Sequence, residues 1–169
     1  MHMTAKPKSP LVYLFDWGDT LMRDDPNQSL PMAEWEHVEA VDGALALLTK
    51  LSQSSRLMLA TSAAASNEAQ IRAALDRVGL GQYMERIYCQ ANVGFTKSTQ
   101  FYQFILDDLA LNPTEIVMIG DHFDNDVLAA NALGISAVWL NTQNQYQATS
   151  KLHTTIHHLS ELLDRSCSI

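Results

Sequence analysis

Leu11-Val12-Tyr13-Leu14-Phe15-Asp16-Trp17-Gly18-Asp19-Thr20-Leu21 decides how this chain folds. An apolar run of strand-like composition ends abruptly in an aspartate, and a glycine-containing polar turn follows at once. In an open α/β fold, ligands bind outside the carboxyl ends of the parallel strands. Asp16 would then project into the crevice while residues 11–15 hold it rigidly. A lone aspartate at a strand end is more often a turn cap, so its meaning depends on what the rest of the chain brings beside it.

Outward from that stretch, composition limits the choices. The 169 residues are 47% hydrophobic, enough for one core and short for two, so a single domain over 1–169 is expected. A formal net charge of −8 argues against a non-specific nucleic-acid binder and against an anionic membrane surface. The two cysteines, Cys89 and Cys167, lie far apart and form neither a disulfide framework nor a zinc pattern, which fits a reducing cytoplasm. Residues 1–10 are polar, carry two prolines and are expected to form a flexible arm. No apolar run approaches the ~20 residues needed to span a bilayer, so no membrane partner is expected.

After Leu21, residues 22–41 are polar and proline-containing and predict a flap beside the strand end, too small for a core of its own. Regular structure resumes near Gly43 with an amphipathic helix on Leu45, Leu48 and Leu51, with Ala44 and Leu47 beside them. A buried strand over Arg56-Leu57-Met58-Leu59-Ala60-Thr61 again ends in a hydroxyl. Ser66 is the expected cap of a helix built on Ile71, Ala74, Leu75 and Val78 that stops at Gly79. A short strand near Arg86-Ile87-Tyr88-Cys89, the loop Gly94-Phe95-Thr96-Lys97 and a helix on Phe101, Phe104, Ile105 and Leu109 follow, before Pro113. Glu115-Ile116-Val117-Met118-Ile119 is a further strand, closed by Gly120-Asp121. Asp124 is expected to cap a helix using Val127, Leu128, Ala130 and Leu133, with Gly134 as its stop. A strand over 136–140 and a helix around Leu159, Leu162 and Leu163 complete the chain, with His153, His157 and His158 on an exposed polar face.

Strands alternating with helices at this spacing predict an α/β fold, a doubly wound parallel sheet. Asp16, Thr61 and Asp121 would then surface along one edge, with Lys97 reaching in from a loop. Two neighbouring carboxylates repel unless positive charge sits between them, and hard oxygen donors suit Mg2+, completed by a substrate phosphate. A lysine and a strand-end hydroxyl are the other contacts a phosphoryl group requires.

Four stretches in this order resemble the haloacid dehalogenase-like superfamily of mostly magnesium-dependent phosphohydrolases. Phe15-Asp16-Trp17-Gly18-Asp19-Thr20-Leu21 looks like its Asp-x-Asp-x-Thr strand end, and Leu59-Ala60-Thr61 like its Ser/Thr-terminated strand. Gly94-Phe95-Thr96-Lys97 is similar to its lysine loop, with Ser98 where proline is commonest, and Gly120-Asp121-His122-Phe123-Asp124-Asn125-Asp126 to its acidic helix start. The resemblance implies a Rossmann-like fold with a short flap in place of a cap domain. It implies Asp16 as the nucleophile of an aspartyl-phosphate, Thr61, Ser62 and Lys97 around the phosphoryl group, and Mg2+ held by Asp16, the Gly18 carbonyl and Asp121. Asp126 would support the metal's waters and orient Lys97. The partner is a phosphorylated substrate.

The same resemblance marks a departure, because Gly18 stands where the family's acid–base aspartate belongs. General acid–base catalysis is worth ~10²- to 10⁴-fold, so either a weakened enzyme preferring acyl or aryl phosphates or a phosphoryl- or metal-binding module is expected. Asp19, in a position many relatives fill for structural reasons, and His122, which reads first as a surface histidine, are the candidate substitutes. Dehalogenases dispense with that aspartate but need no metal, which the retention of Asp121 and Asp126 argues against. Phosphonatases use a cap lysine, and residues 22–41 contain none. Trp17 and Trp35 read as core or flap packing before substrate wall. The site should be open, suiting large substrates or completion by a second subunit in a homo-oligomer.

Overall fold

A computed structural model describes residue 10, residues 12–146, residue 150 and residues 152–164. Six parallel strands form one sheet: β1 (Val12–Phe15), β2 (Arg56–Ala60), β3 (Arg86–Tyr88), β4 (Ile116–Gly120), β5 (Ser136–Leu140) and β6 (His153–Ile156), in the order β3-β2-β1-β4-β5-β6. The strand order reverses between β1 and β4, the switch point at which such sheets bind ligands. Register puts Phe15 beside Leu59 on one side and Ile119 on the other, so β1, β2 and β4 end level with one another.

Alternation within the strands divides the core in two. Tyr13, Phe15, Leu57, Leu59, Val117 and Ile119 face one layer, with α1 (Ala44–Leu51) and α2 (Glu68–Arg77) on it. Val12, Leu14, Met58, Ala60, Ile116 and Met118 face the other, which includes residues of α4 (Thr99–Leu109) and α5 (Ala129–Asn131). A four-residue helix, α3 (Gln90–Val93), follows β3. Both faces are therefore covered, as an all-parallel sheet requires.

Residues 22–41 leave the end of β1 and return to it. Met22 bridges to Ala40, the Arg23 amide donates to the Glu39 carbonyl (2.9 Å), and the Val41 amide donates to the Leu21 carbonyl (2.8 Å). The flap contains one turn of 3-10 helix, Met32–Glu34. Trp35 Nε1 donates to the Leu30 carbonyl and Trp17 Nε1 to Met22 Sδ, so both rings serve packing.

The helices differ from the sequence expectation in their faces and caps. Leu45, Phe104 and Leu128 are exposed, while Leu47, Tyr102, Leu106 and Val127 are buried. Asn67 rather than Ser66 caps α2, because Gln70 three residues on completes the reciprocal capping box. His122 rather than Asp124 caps the helix after β4, its Nδ1 accepting from the Asn125 amide at 3.3 Å. That helix opens as a π-helix, Phe123–Leu128, and tightens into α5.

The C-terminal segment also differs. His153-Thr154-Thr155-Ile156 forms the edge strand β6, whose β-branched residues suit extended backbone, and only a 3-10 turn, Leu159–Leu162, follows. The three histidines share no helical face: the His153 ring meets Phe123 edge-on, and His157 Nδ1 lies 2.8 Å from the Asn141 carbonyl. The expected arm is outside the described residues except for Pro10, as is Cys167. Among the described residues no helix is long and apolar enough to cross a membrane.

Candidate active site

The ends of β1, β2 and β4 bring Asp16, Thr61 and Asp121 to one edge, as the alternation of strand and helix predicted. Asp16 extends β1 by one more bond, its amide donating to the Ile119 carbonyl at 2.9 Å. Lys97 lies just before Ser98, the cap of α4. The Ser62 hydroxyl oxygen accepts the Lys97 amide at 2.7 Å, which ties this loop to the end of β2.

Lys97 Nζ donates to Asp16 Oδ1 at 2.7 Å and to Asp126 Oδ1 at 2.6 Å. Asp16, Thr61, Lys97 and Asp126 are 8%, 4%, 7% and 0% exposed, so charge here is poorly screened. Asp126 Oδ2 accepts the His122 amide at 3.0 Å, which occupies both oxygens of that carboxylate. Thr20 donates its hydroxyl to Asp16 Oδ2 (3.0 Å) and to Asp121 Oδ1 (3.3 Å), holding the two acids in one orientation. The sequence offered Thr20 as part of the Asp16 stretch, yet its link to a residue 101 positions away is visible only in the fold.

Oxygens of Asp16, Asp121 and Asp126 all lie within 4.8 Å of one another. Burial alone would raise the Asp16 carboxyl, but the charge and hydrogen bond of Lys97, together with hydrogen bonds from Asp121 and the Trp17 backbone, hold Asp16 below the usual carboxylate range. Asp121 is pushed up to about 9, by burial first and then by the hydrogen bond and charge of Asp16. Burial, then the Asp16 charge, pushes Asp126 up to about 6 against the pull of Lys97. Burial works against the Lys97 cation, yet Asp16 and Asp126 hold its pKa above the ordinary value. Three carboxylates against one ammonium leave two negative charges if all are ionised. A divalent ion on hard oxygen donors fits that deficit.

The cleft beside these residues encloses about 440 Å³ and is walled by Trp17, Leu30, Pro31, Met32 and Trp35 of β1's end and the flap. Thr61, Ser62, Gly18 and Asp24 line it as well. Asp19 adopts a left-handed backbone (φ +57°), tolerable for aspartate, and its Oδ1 accepts the Asp24 amide at 3.0 Å. His122 is exposed, its Nδ1 occupied by the helix cap. Asp24 drew no attention in the sequence, because nothing in a polar loop signals which of its acids turns back toward the strand end.

Comparison with known proteins bears on the family and the fold. The sequence model of a family described as haloacid dehalogenase-like hydrolase matches residues 22–140. Pyrimidine 5'-nucleotidase YjjG of Escherichia coli (strain K12) is 26% identical over 144 residues, which cover 81% of this chain and 62% of the relative. The chain thus spans less than two thirds of that enzyme's length. Among solved structures, a protein from Listeria monocytogenes serotype 4b superposes with a TM-score of 0.79 at 23% identity, covering 89% of this chain and 93% of that one. The orthorhombic form of YfnB from Bacillus subtilis bound to magnesium superposes with a TM-score of 0.75 at 15% identity, covering 92% and 97%.

Proposed function

We infer that this chain, which belongs to the haloacid dehalogenase-like hydrolase family, is a Mg2+-dependent phosphohydrolase that works through an aspartyl-phosphate on Asp16. The observation that carries this function is the pairing of a buried, ionised Asp16 with Lys97 at 2.7 Å beside a second strand-end acid, Asp121. The relative named as a nucleotidase and the magnesium-bound structural neighbour support it.

Asp16 is a rigidly held carboxylate at the floor of the cleft. Its oxygen attacks phosphorus, the phosphorus–oxygen bond to the leaving group breaks, and water later releases orthophosphate from Asp16. Lys97 has three N–H donors, two of them used on Asp16 and Asp126, which leaves the third for a phosphoryl oxygen. The Thr61 oxygen accepts the Ala63 amide at 3.1 Å, so its own proton is free to point at the same group. The Ser62 hydroxyl, accepting from Lys97 N–H, likewise retains its proton. Asp16, the Gly18 carbonyl and Asp121 would hold Mg2+, with Asp126 acting through Lys97 and metal-bound water. Such an ion neutralises charge on the transferring phosphoryl group. The whole set works by positioning and electrostatics, the main contributions in phosphoryl transfer.

The test is hydrolysis of acetyl phosphate and p-nitrophenyl phosphate with and without Mg2+, in wild type and Asp16→Asn. Turnover that needs Mg2+ and falls to background in Asp16→Asn is expected. Binding of Mg2+ and a phosphate-mimicking fluoride complex without turnover in wild type would instead identify a binding module.

A further inference from the structure

An alkyl phosphate leaves as an alkoxide unless it receives a proton, and water attacking the aspartyl-phosphate must lose one. Gly18, two residues beyond Asp16, has no side chain to perform either transfer. The space in front of it is filled nonetheless. A Cβ built on Gly18 would lie 3.4 Å from Asp24 Cβ, 3.5 Å from Asp24 Oδ2 and 3.6 Å from Asp24 Cγ. A carboxylate from the flap thus lies in contact distance of a side chain at position 18, and it lines the cleft together with Asp16.

We propose that Asp24 is the general acid and base of the reaction, supplying from the flap the carboxyl that Gly18 lacks; this rests on the phosphohydrolase function above. Each of the other titratable groups of the cleft has at least one polar atom bonded within the protein. Asp16 and Asp126 bind Lys97, Asp121 accepts from Thr20, and Asp19 Oδ1 holds the Asp24 amide. Asp25 accepts from the Asn27 amide and from Gln28 Nε2, and His122 Nδ1 caps its helix. Asp24 is bonded in the same way through one oxygen, Oδ1, which receives the Asp25 amide at 2.9 Å; its place sets it apart, with Oδ2 turned to the Gly18 position and without a hydrogen-bond partner among the described residues.

The backbone keeps Asp24 in place. The Asp19 amide donates to the Met22 carbonyl at 2.7 Å, Gly18 bridges to Met22, and Arg23 is tied to Glu39 across the base of the flap. In the first step Asp16 bonds to phosphorus, the ester bond breaks, and the Asp24 carboxyl gives its proton to the departing oxygen. In the second, the Asp24 carboxylate takes a proton from water as that oxygen bonds to phosphorus and the bond to Asp16 breaks. Orthophosphate leaves with Asp16 and Asp24 restored. The preference for acyl and aryl phosphates expected from Gly18 then gives way to turnover of alkyl esters too.

Leaving-group dependence tests this with the full chain and Mg2+, using β-glycerophosphate as the alkyl ester and p-nitrophenyl phosphate as the aryl ester. Asp24→Asn is expected to lower kcat/KM on the alkyl ester by ~10²- to 10⁴-fold and kcat/KM on the aryl ester far less, while kcat falls on both because release of the shared aspartyl-phosphate loses its base. Gly18→Asp is expected to restore alkyl turnover in Asp24→Ala, where the space in front of residue 18 has been vacated. Asp24 is exposed, so thermal melts of these variants should match wild type. Equal losses of kcat/KM on both esters, no loss on either, or alkyl turnover that appears only in Gly18→Asp would overturn the role of Asp24 and leave the phosphohydrolase standing. Wild type and Gly18→Asp both inactive on every ester would overturn the two together.

Discussion

Gly120 has no room for a side chain. A Cβ there would lie 2.2 Å from Asp126 Oδ2 and 2.4 Å from its Cγ, and Asp126 cannot yield, because Lys97 and the His122 amide grip its two oxygens. Gly120→Ala should therefore displace Asp126 and, through it, Lys97. Overpacking of this kind costs ~1–3 kcal/mol, and each kcal/mol lowers Tm by about 2–4 °C in a chain of this size. Gly18→Ala is the contrasting case, since its Cβ would make only ordinary contact with Asp24 and Tm should hardly move. Asp126→Ala should be costlier, ~3–5 kcal/mol, because it removes one partner of a buried pair and leaves Lys97 short of a charge. Thermal unfolding of the three variants would check the order; a Gly120→Ala melting point equal to wild type would contradict it.

At the scale of elements, the flap is held less by its own core than by α2. Arg77, at the last turn of that helix, donates to the carbonyls of Ala33 (3.2 Å), Trp35 (2.6 Å) and Glu36 (3.1 Å). Arg77→Met removes this clamp from the wall of the cleft without touching Asp16. A loss of ~1 kcal/mol of substrate positioning is about fivefold in affinity, so KM should rise by that order with kcat little changed. Residues 28–37 should also become easier to cleave by protease, and an unchanged digestion pattern would deny the clamp. The sequence made the strand ends legible, because Asp16, Thr61 and Asp121 each stop an apolar run. Helix faces were harder: Leu45, Phe104 and Leu128 satisfy the same periodicity as their buried neighbours, and only docking on the sheet chooses among them. The last strand was hidden because four residues of mixed polarity carry little period, and its partner β5 supplies the pairing. Asp24 was hidden for a related reason, as its place beside Gly18 comes from Asp19's left-handed turn and the bonds closing the flap.

For the whole molecule, the site's charge couples fold, proton and metal. Asp121 keeps its proton up to about pH 9 in the metal-free protein and loses it near 3.8 when unfolded. Over that window the native state holds more protons than the unfolded one, so this contribution to stability falls as pH rises. Asp126 acts in the same direction between 3.8 and about 6. The remaining shifts lie outside that window: Asp16 is lowered and opposes them, its contribution lost as pH falls below its ordinary 3.8, while Lys97 is raised and acts in the same direction, its contribution lost only above its ordinary 10.5. Mg2+ bound as proposed would displace the Asp121 proton, so its affinity should rise about tenfold per pH unit between pH 6 and 9. Calorimetry in buffers of different ionisation enthalpy would measure the released proton; none released at pH 7.5 would contradict the charge balance.

The strand order carries a consequence for how the protein is made. β1 lies between β2 and β4, and Thr20 and Asp121 are 101 positions apart. At ~5–20 residues per second of synthesis, roughly 5–20 s pass between the emergence of these two residues. Through that interval β1 offers β2 one edge and keeps the other bare, and Asp16 at its tip has no Asp121 beside it. β1, made before β2, is thus flanked on both sides only after β2 has been. A nascent chain halted before β4 holds Asp16 and Lys97 but neither Asp121 nor Asp126.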